Sequence, residues 1–191
     1  MKLHLPNILI IFRIILIPVF LIFLLNAAPM PAGFAFRLIA FVIFVSAAIT
    51  DLLDGHLARK WNLVSNFGAL MDPLADKMLV SAALVALVFR QDLAAWIAIV
   101  IICREFWVTS LRMLALEQGR NVISASIWGK IKTVLQIIMI SAIIAGRDIV
   151  AFIGLARFAD IVTILLIYLT ILATIFSAVE YTISYKDVFK P

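Results

Sequence analysis

An all-α bundle of six transmembrane helices is the fold class this sequence predicts, and three observations predict it. Of the 191 residues, 65% are hydrophobic, and the mean hydropathy is +1.18, whereas a soluble domain is nearer half apolar. The apolar residues gather into stretches of roughly 20, the length that crosses a hydrocarbon core as a helix. Those stretches are continuously apolar rather than alternating, which excludes a strand-built membrane barrel. Too little polar sequence is left for a separate soluble domain, so residues 1–191 read as a single membrane-embedded domain.

The six elements follow in order at about 8–28, 35–57, 67–89, 93–116, 124–145 and 158–182. The first is too long for a removable signal peptide, and no small-residue cleavage pattern follows it. "NAAPMPAG" separates the first two with two prolines and a glycine, residues that punctuate chains by fixing or freeing φ. "RQD" is a polar turn between the third and fourth, and "EQGRN" closes the fourth with a glycine. "AGRD" opens a longer connection to the last helix, with room for a short surface helix.

A net charge of +5 invites a nucleic-acid partner. The basic residues are instead dispersed at the ends of apolar stretches, where they meet lipid headgroups, and no nucleic acid is expected. With a cytoplasmic N-terminus, one side of the membrane collects Lys2, Arg59, Lys60, Arg120, Lys130, Lys132, Lys186 and Lys190. The other collects Arg37, Arg90, Arg147 and Arg157. The richer side belongs inside, so both termini are expected in the cytoplasm. The single cysteine, Cys103, has no intrachain disulfide partner and reads as a small core residue. Asp92, Asp148 and Asp160 read as ordinary helix-end charges, and Arg13 as an inward-facing charge paired across the bundle.

The stretch "DLLDGHLARKWNLVSNFGALMDPLADK", Asp51 to Lys77, stands apart because it carries four aspartates. Asp51 and Asp54 are three apart, and Asp72 and Asp76 four apart, so each pair shares a helical face. The short connection makes the second and third helices antiparallel neighbours, which lets the pairs converge at the cytoplasmic side. Ionised carboxylates so placed repel one another, and Arg59, Lys60 and Lys77 are the basic residues nearby in sequence. Divalent cations relieve that repulsion. Hard oxygen donors select magnesium, calcium or manganese, and two such ions form a clamp for displacement at phosphorus. Gly55, Ala58 and Gly68 permit close approach to the backbone, and Arg59 can fork onto phosphate oxygens. His56 lies within the stretch but has no role that the carboxylates do not already fill.

This stretch fits D-x-x-D-G-x-x-A-R-x8-G-x3-D-x3-D at every fixed position, and in this it resembles the CDP-alcohol phosphatidyltransferase family. The resemblance implies a six-helix membrane enzyme of the cell membrane, a homodimer, with its active site at the cytoplasmic surface. It implies two divalent cations, Mg2+ or Mn2+, held by Asp51, Asp54, Asp72 and Asp76. Asp76 would also be the catalytic base that deprotonates the attacking alcohol. Gly55, Ala58 and Gly68 would make room for the cytidine of a CDP-linked lipid such as CDP-diacylglycerol, and Arg59 would meet its pyrophosphate. Pro73 asks for a helix that begins or kinks beside Asp72.

A second polar group lies in the fourth and fifth helices: Arg104, Glu105, Arg112, Lys130, Lys132 and Gln136. An arginine deep in an apolar helix needs a partner or an anion. Arg104 can pair with Glu105, and Arg112, Lys130 and Lys132 can snorkel, which is what the position of Lys132 favours. Taken together, Arg104, Arg112, Lys130 and Lys132 make a pocket for a phosphate on the acceptor alcohol. "LPNILIIFRIILIPVF", "FGALMDPLADK" and "GKIKTVLQ" resemble one branch of the family, although Ile10 stands where that opening stretch often carries threonine or serine. In that branch the acceptor is sn-glycerol 3-phosphate, and the products are phosphatidylglycerophosphate and CMP. Rival readings are a sister transferase using phosphatidylglycerol, inositol phosphate or serine, a hydrolase of the CDP-lipid, and a cation transporter. The last predicts internal symmetry and broken helices near the midplane, and no repeat is visible.

Overall fold

In the computed structural model, residues 5–27, 33–61, 66–119, 127–151 and 156–186 are described, with side chains at 11–27, 33–50, 77–119, 127–145 and 157–186. Among these residues all regular structure is helical: α1 Leu5–Leu25, α2 Phe34–Trp61, α3 Asn66–Phe89, α4 Ala95–Glu117, α5 Ile127–Ala151 and α6 Ala156–Ser184. Each expected apolar stretch is a helix, most of them longer at one or both ends than hydropathy alone suggests. "AGRD" is a correction. The backbone stays helical through it to Ala151, because one glycine costs a helix only about 1 kcal/mol, which the packing of α5 readily offsets. Pro73 lies inside α3, which begins earlier, at Asn66.

The helix ends show why the turns fall where they do. After α3, Gln91 takes a left-handed conformation, φ 62°. Its N–H reaches the Val88 carbonyl, and the Asp92 N–H reaches the Leu87 carbonyl at 2.9 Å, the paired bonds that satisfy orphan carbonyls at a helix C-terminus. After α4, Gly119 does the same at φ +66°, donating to the Leu116 carbonyl.

One apolar core runs through the bundle. Ile17, Phe20 and Leu24 of α1 meet Phe44 of α2, Leu84 and Leu87 of α3, Ile101 of α4 and Met139 and Ile140 of α5. The Phe20 and Phe44 rings lie 5.7 Å apart in a tilted pair. α1 packs against both α2 and α3, α5 packs most extensively against α6, and α4 lies on α6. Among the described residues α2 and α3 touch each other only slightly. Among the described residues, α1 thus packs on α2 and on α3 more extensively than these two pack on each other.

The outer surface is apolar as well. Phe12, Val42, Val85, Phe106, Val134 and Ile164, from all six helices, are exposed, a surface suited to lipid rather than water. Ile127–Ala145 and Arg157–Ser184 are each long and apolar enough to cross a bilayer. Cys103 corrects the sequence expectation: it is exposed on α4 rather than in the core. In a chain with apolar faces on both sides, apolar neighbours do not tell inside from outside.

Charge ties the helix ends together on the side away from the aspartates. Arg90 donates through Nη1 to the carbonyls of Leu24 at 3.0 Å and Ala27 at 2.8 Å, and through Nε to Asp92 Oδ2 at 3.0 Å. Arg37 of α2 approaches the same Asp92 oxygen at 3.5 Å. Asp92 is therefore an anchor between two guanidiniums and not merely a solvated helix-end charge. Arg90→Ala is expected to cost about 2–3 kcal/mol, because charge-assisted bonds are lost and buried carbonyls are left open. A thermal melt in detergent measures this, and Arg90→Lys should recover only part of the loss because a point charge cannot span both sites.

Candidate active site

The first candidate group falls on the C-terminal part of α2 and the N-terminal part of α3. Asp51, Asp54, Gly55, Ala58 and Arg59 fall on α2, and Gly68, Asp72 and Asp76 on α3; their side chains lie outside the described residues. Both backbones are helical through the motif, so Asp51 and Asp54 share one face of α2, and Asp72 and Asp76 share one face of α3. An all-carboxylate donor set suits hard divalent cations, which prefer oxygen ligands. Among the residues with described side chains no group of three or more potential metal ligands occurs.

The next residue of α3 leads into the second group. Lys77 lines a cavity of about 340 Å³ together with Arg104, Glu105 and Arg112 of α4, Lys132 and Gln136 of α5, and Tyr181 of α6. Four helices thus supply its wall. On α4, residues 104, 105, 108, 109 and 112 face it; on α5, residues 129, 132, 133 and 136 do. These are the i, i+3, i+4, i+7 spacings of one helical face.

Glu105 is the centre of its electrostatics. Its Oε1 accepts from Lys132 Nζ and, at 3.2 Å, from Arg104 Nη1. Arg104 also donates through Nη2 to Ser177 Oγ. Lys77 donates to Thr109 Oγ1, which itself donates to the Glu105 carbonyl at 2.7 Å. Arg112 donates to the Tyr181 hydroxyl at 2.7 Å. The Tyr181 ring lies beneath two guanidiniums, with Arg104 5.7 Å and Arg112 5.1 Å from its centroid, a cation–π arrangement that holds both cations at the cavity wall. Behind them Val108, Leu111, Ala115, Tyr181 and Tyr185 form a small apolar cluster that fixes α4 on α6.

Three of the four cations expected around an acceptor phosphate, Arg104, Arg112 and Lys132, line this one cavity. Lys130 is exposed and is not among the described lining residues. Lys132 is only 4% exposed, so the snorkelling suggested by its position does not occur; Glu105 across the cavity draws it inward. Arg104 pairs with Glu105, as the structural reading of that arginine expects, and it also lines the cavity. Arg13 is buried at 1% exposure, as an inward-facing charge should be. Trp107 and Trp128 lie at the periphery, Trp107 donating to Thr182 at 2.9 Å and Trp128 stacking on Phe176.

Sequence reasoning noted Lys77 only as a basic residue near the aspartates, and passed over Thr109 and Tyr181. The residue after the last aspartate could have been flagged as a cation reaching from one group to the other. Nothing in the sequence singles out Tyr181.

The chain matches the family model described as CDP-alcohol phosphatidyltransferase over residues 3–178. A CDP-diacylglycerol–glycerol-3-phosphate 3-phosphatidyltransferase of Bacillus subtilis is 44% identical, across 93% of this chain and 93% of its own length. The protein of that name from Haemophilus influenzae is 39% identical across 95% of this chain and 92% of its own. A third, from Rickettsia bellii, is 36% identical across 88% of this chain and 90% of its own.

Proposed function

The chain belongs to the CDP-alcohol phosphatidyltransferase family, and on that premise we propose that it transfers the phosphatidyl group of CDP-diacylglycerol to sn-glycerol 3-phosphate. The products are phosphatidylglycerophosphate and CMP. The observation that carries the acceptor is the gathering of Lys77, Arg104, Arg112 and Lys132 on one cavity among apolar helices. Guanidiniums and ammoniums grouped in this way suit a phosphate, which meets them with charge-assisted hydrogen bonds. An acceptor bearing a phosphate brings net negative charge, whereas serine is a zwitterion and choline a cation.

All six helices span the membrane, both termini and the site face the cytoplasm, and the enzyme is a homodimer. α4 carries Arg104, Glu105 and Arg112 on its inward side, which lowers its mean hydropathy while its lipid-facing side stays apolar.

Asp51, Asp54, Asp72 and Asp76 would hold two divalent cations, which would supply charge neutralisation at the pyrophosphate and stabilisation of the departing CMP. Asp76 removes the proton from the acceptor's primary hydroxyl as that oxygen attacks the phosphorus bearing diacylglycerol. The new P–O bond forms opposite the bond to CMP, which breaks in line. Gly55, Ala58 and Gly68 admit the cytidine, and Arg59 contacts the pyrophosphate. Arg104, Arg112 and Lys132 hold the acceptor's phosphate with its hydroxyl towards Asp76, and Lys77 joins them from the residue beside the base.

The test is purified protein with CDP-diacylglycerol, magnesium or manganese, and labelled glycerol 3-phosphate, scored for CMP release and for label in lipid. Both should rise together. CMP release without labelled lipid would point instead to hydrolysis or another acceptor. Arg112→Ala is expected to raise the acceptor KM about 10- to 100-fold while moving the donor KM much less. An unchanged acceptor KM would remove Arg112 from the phosphate's partners.

A further inference from the structure

The cavity's neutral side chains are nearly all spoken for. Thr109 accepts from Lys77 and donates to the Glu105 carbonyl. Thr133 donates to the Gly129 carbonyl at 3.1 Å. The Tyr181 hydroxyl accepts from Arg112. Gln136 differs: it is 2% exposed, it lines the cavity, and its Nε2 is buried without a hydrogen-bond partner. Buried amide donors are almost always satisfied, and an open one calls for an explanation. Gln136 sits one turn beyond Lys132 on the same cavity-lining face of α5.

We infer that Gln136 reads the neutral hydroxyl of the acceptor, the secondary hydroxyl of a three-carbon phosphate, and so sets which phosphorylated alcohol is accepted. This rests on the transfer reaction proposed above. The acceptor presents three kinds of group. Its dianionic phosphate goes to the guanidiniums and ammoniums, which bind it far more strongly than an amide does. Its primary hydroxyl goes to the carboxylate that deprotonates it. The secondary hydroxyl is left, an uncharged group that accepts a hydrogen bond from an uncharged donor, and Gln136 Nε2 is the neutral donor still open among the described lining residues. A site that commits a buried donor to one substrate hydroxyl rejects an analogue lacking it, because the donor is then left dry and unmatched.

The experiment compares glycerol 3-phosphate with 3-hydroxypropyl phosphate, which keeps the phosphate and the primary hydroxyl and lacks the secondary one. The enzyme is expected to favour the former in kcat/KM by about 10- to 100-fold. In Gln136→Met, similar in length and without a donor, the ratio should fall to within about threefold of unity. A ratio that persists in Gln136→Met overturns the assignment, since the variant would then have lost at most a phosphate contact or some packing. Should that variant not accumulate in membranes, Gln136→Asn, whose amide is withdrawn by one methylene, must lower the ratio as well. Equal use of the two acceptors by the unmodified enzyme also overturns it. Transfer to neither acceptor is the separate result that removes the transfer reaction itself.

Discussion

Asp76→Asn is expected to reduce phosphatidyl transfer by about 10²- to 10⁴-fold, the range a positioned general base contributes, while a CDP-lipid still binds. The substitution keeps size and one oxygen donor and removes the capacity to take a proton. Transfer is read from labelled glycerol 3-phosphate entering lipid, and donor binding from retention of a labelled CDP-lipid on the purified variant. Asp76 is suited to this part because it closes the motif on α3 and adjoins Lys77, whose side chain lines the cationic cavity. In the chain, Asp76 is thereby one residue away from the wall of that cavity. Normal turnover in Asp76→Asn would assign the proton to another group.

Lys132→Met should have two separable effects. The ammonium is buried and paired with Glu105, so its removal leaves a carboxylate with less compensation inside the bundle, at a cost of about 3–5 kcal/mol. Acceptor KM should also rise, by about 10- to 100-fold, through loss of a phosphate partner. The double variant Lys132→Met, Glu105→Gln separates the two. Removing both charges should restore most of the stability, as it does when a buried pair is replaced together. It should not restore the acceptor KM. If the double variant recovers both, Lys132 serves the fold alone.

Hydropathy made the six helices legible because span length and the absence of charge set them, and both can be read locally. It could not say which apolar face looks inward when the outside is lipid, and so Cys103 reads as core and is exposed. Nor could it say which helices touch. The packing of α1 on both α2 and α3 depends on the fit of Ile17, Phe20 and Leu24 in the shared core, not on the length of a connection. The aspartate motif was legible because charge is so costly in this setting that its grouping carries information. The second polar group was half legible. Arg104 and Arg112 announced themselves as charges in an apolar helix, but the inward pull of Glu105 on Lys132 crosses from α4 to α5. The part of Tyr181 is a matter of ring placement, which no spacing encodes.

The pairing of Glu105 bears on how such an enzyme could avoid wasting its donor. A space of about 340 Å³ is roomy enough to be wet, since a water molecule takes up roughly 30 Å³ in the liquid, and water is a competing nucleophile for an activated anhydride. The carboxylate on the described wall of that space is held by an ammonium and a guanidinium. With Oε1 so occupied, it is less free to draw a proton from solvent beside it. Loosening that grip, as in Lys132→Met, should therefore raise the share of turnovers that end in spilled nucleotide rather than new lipid.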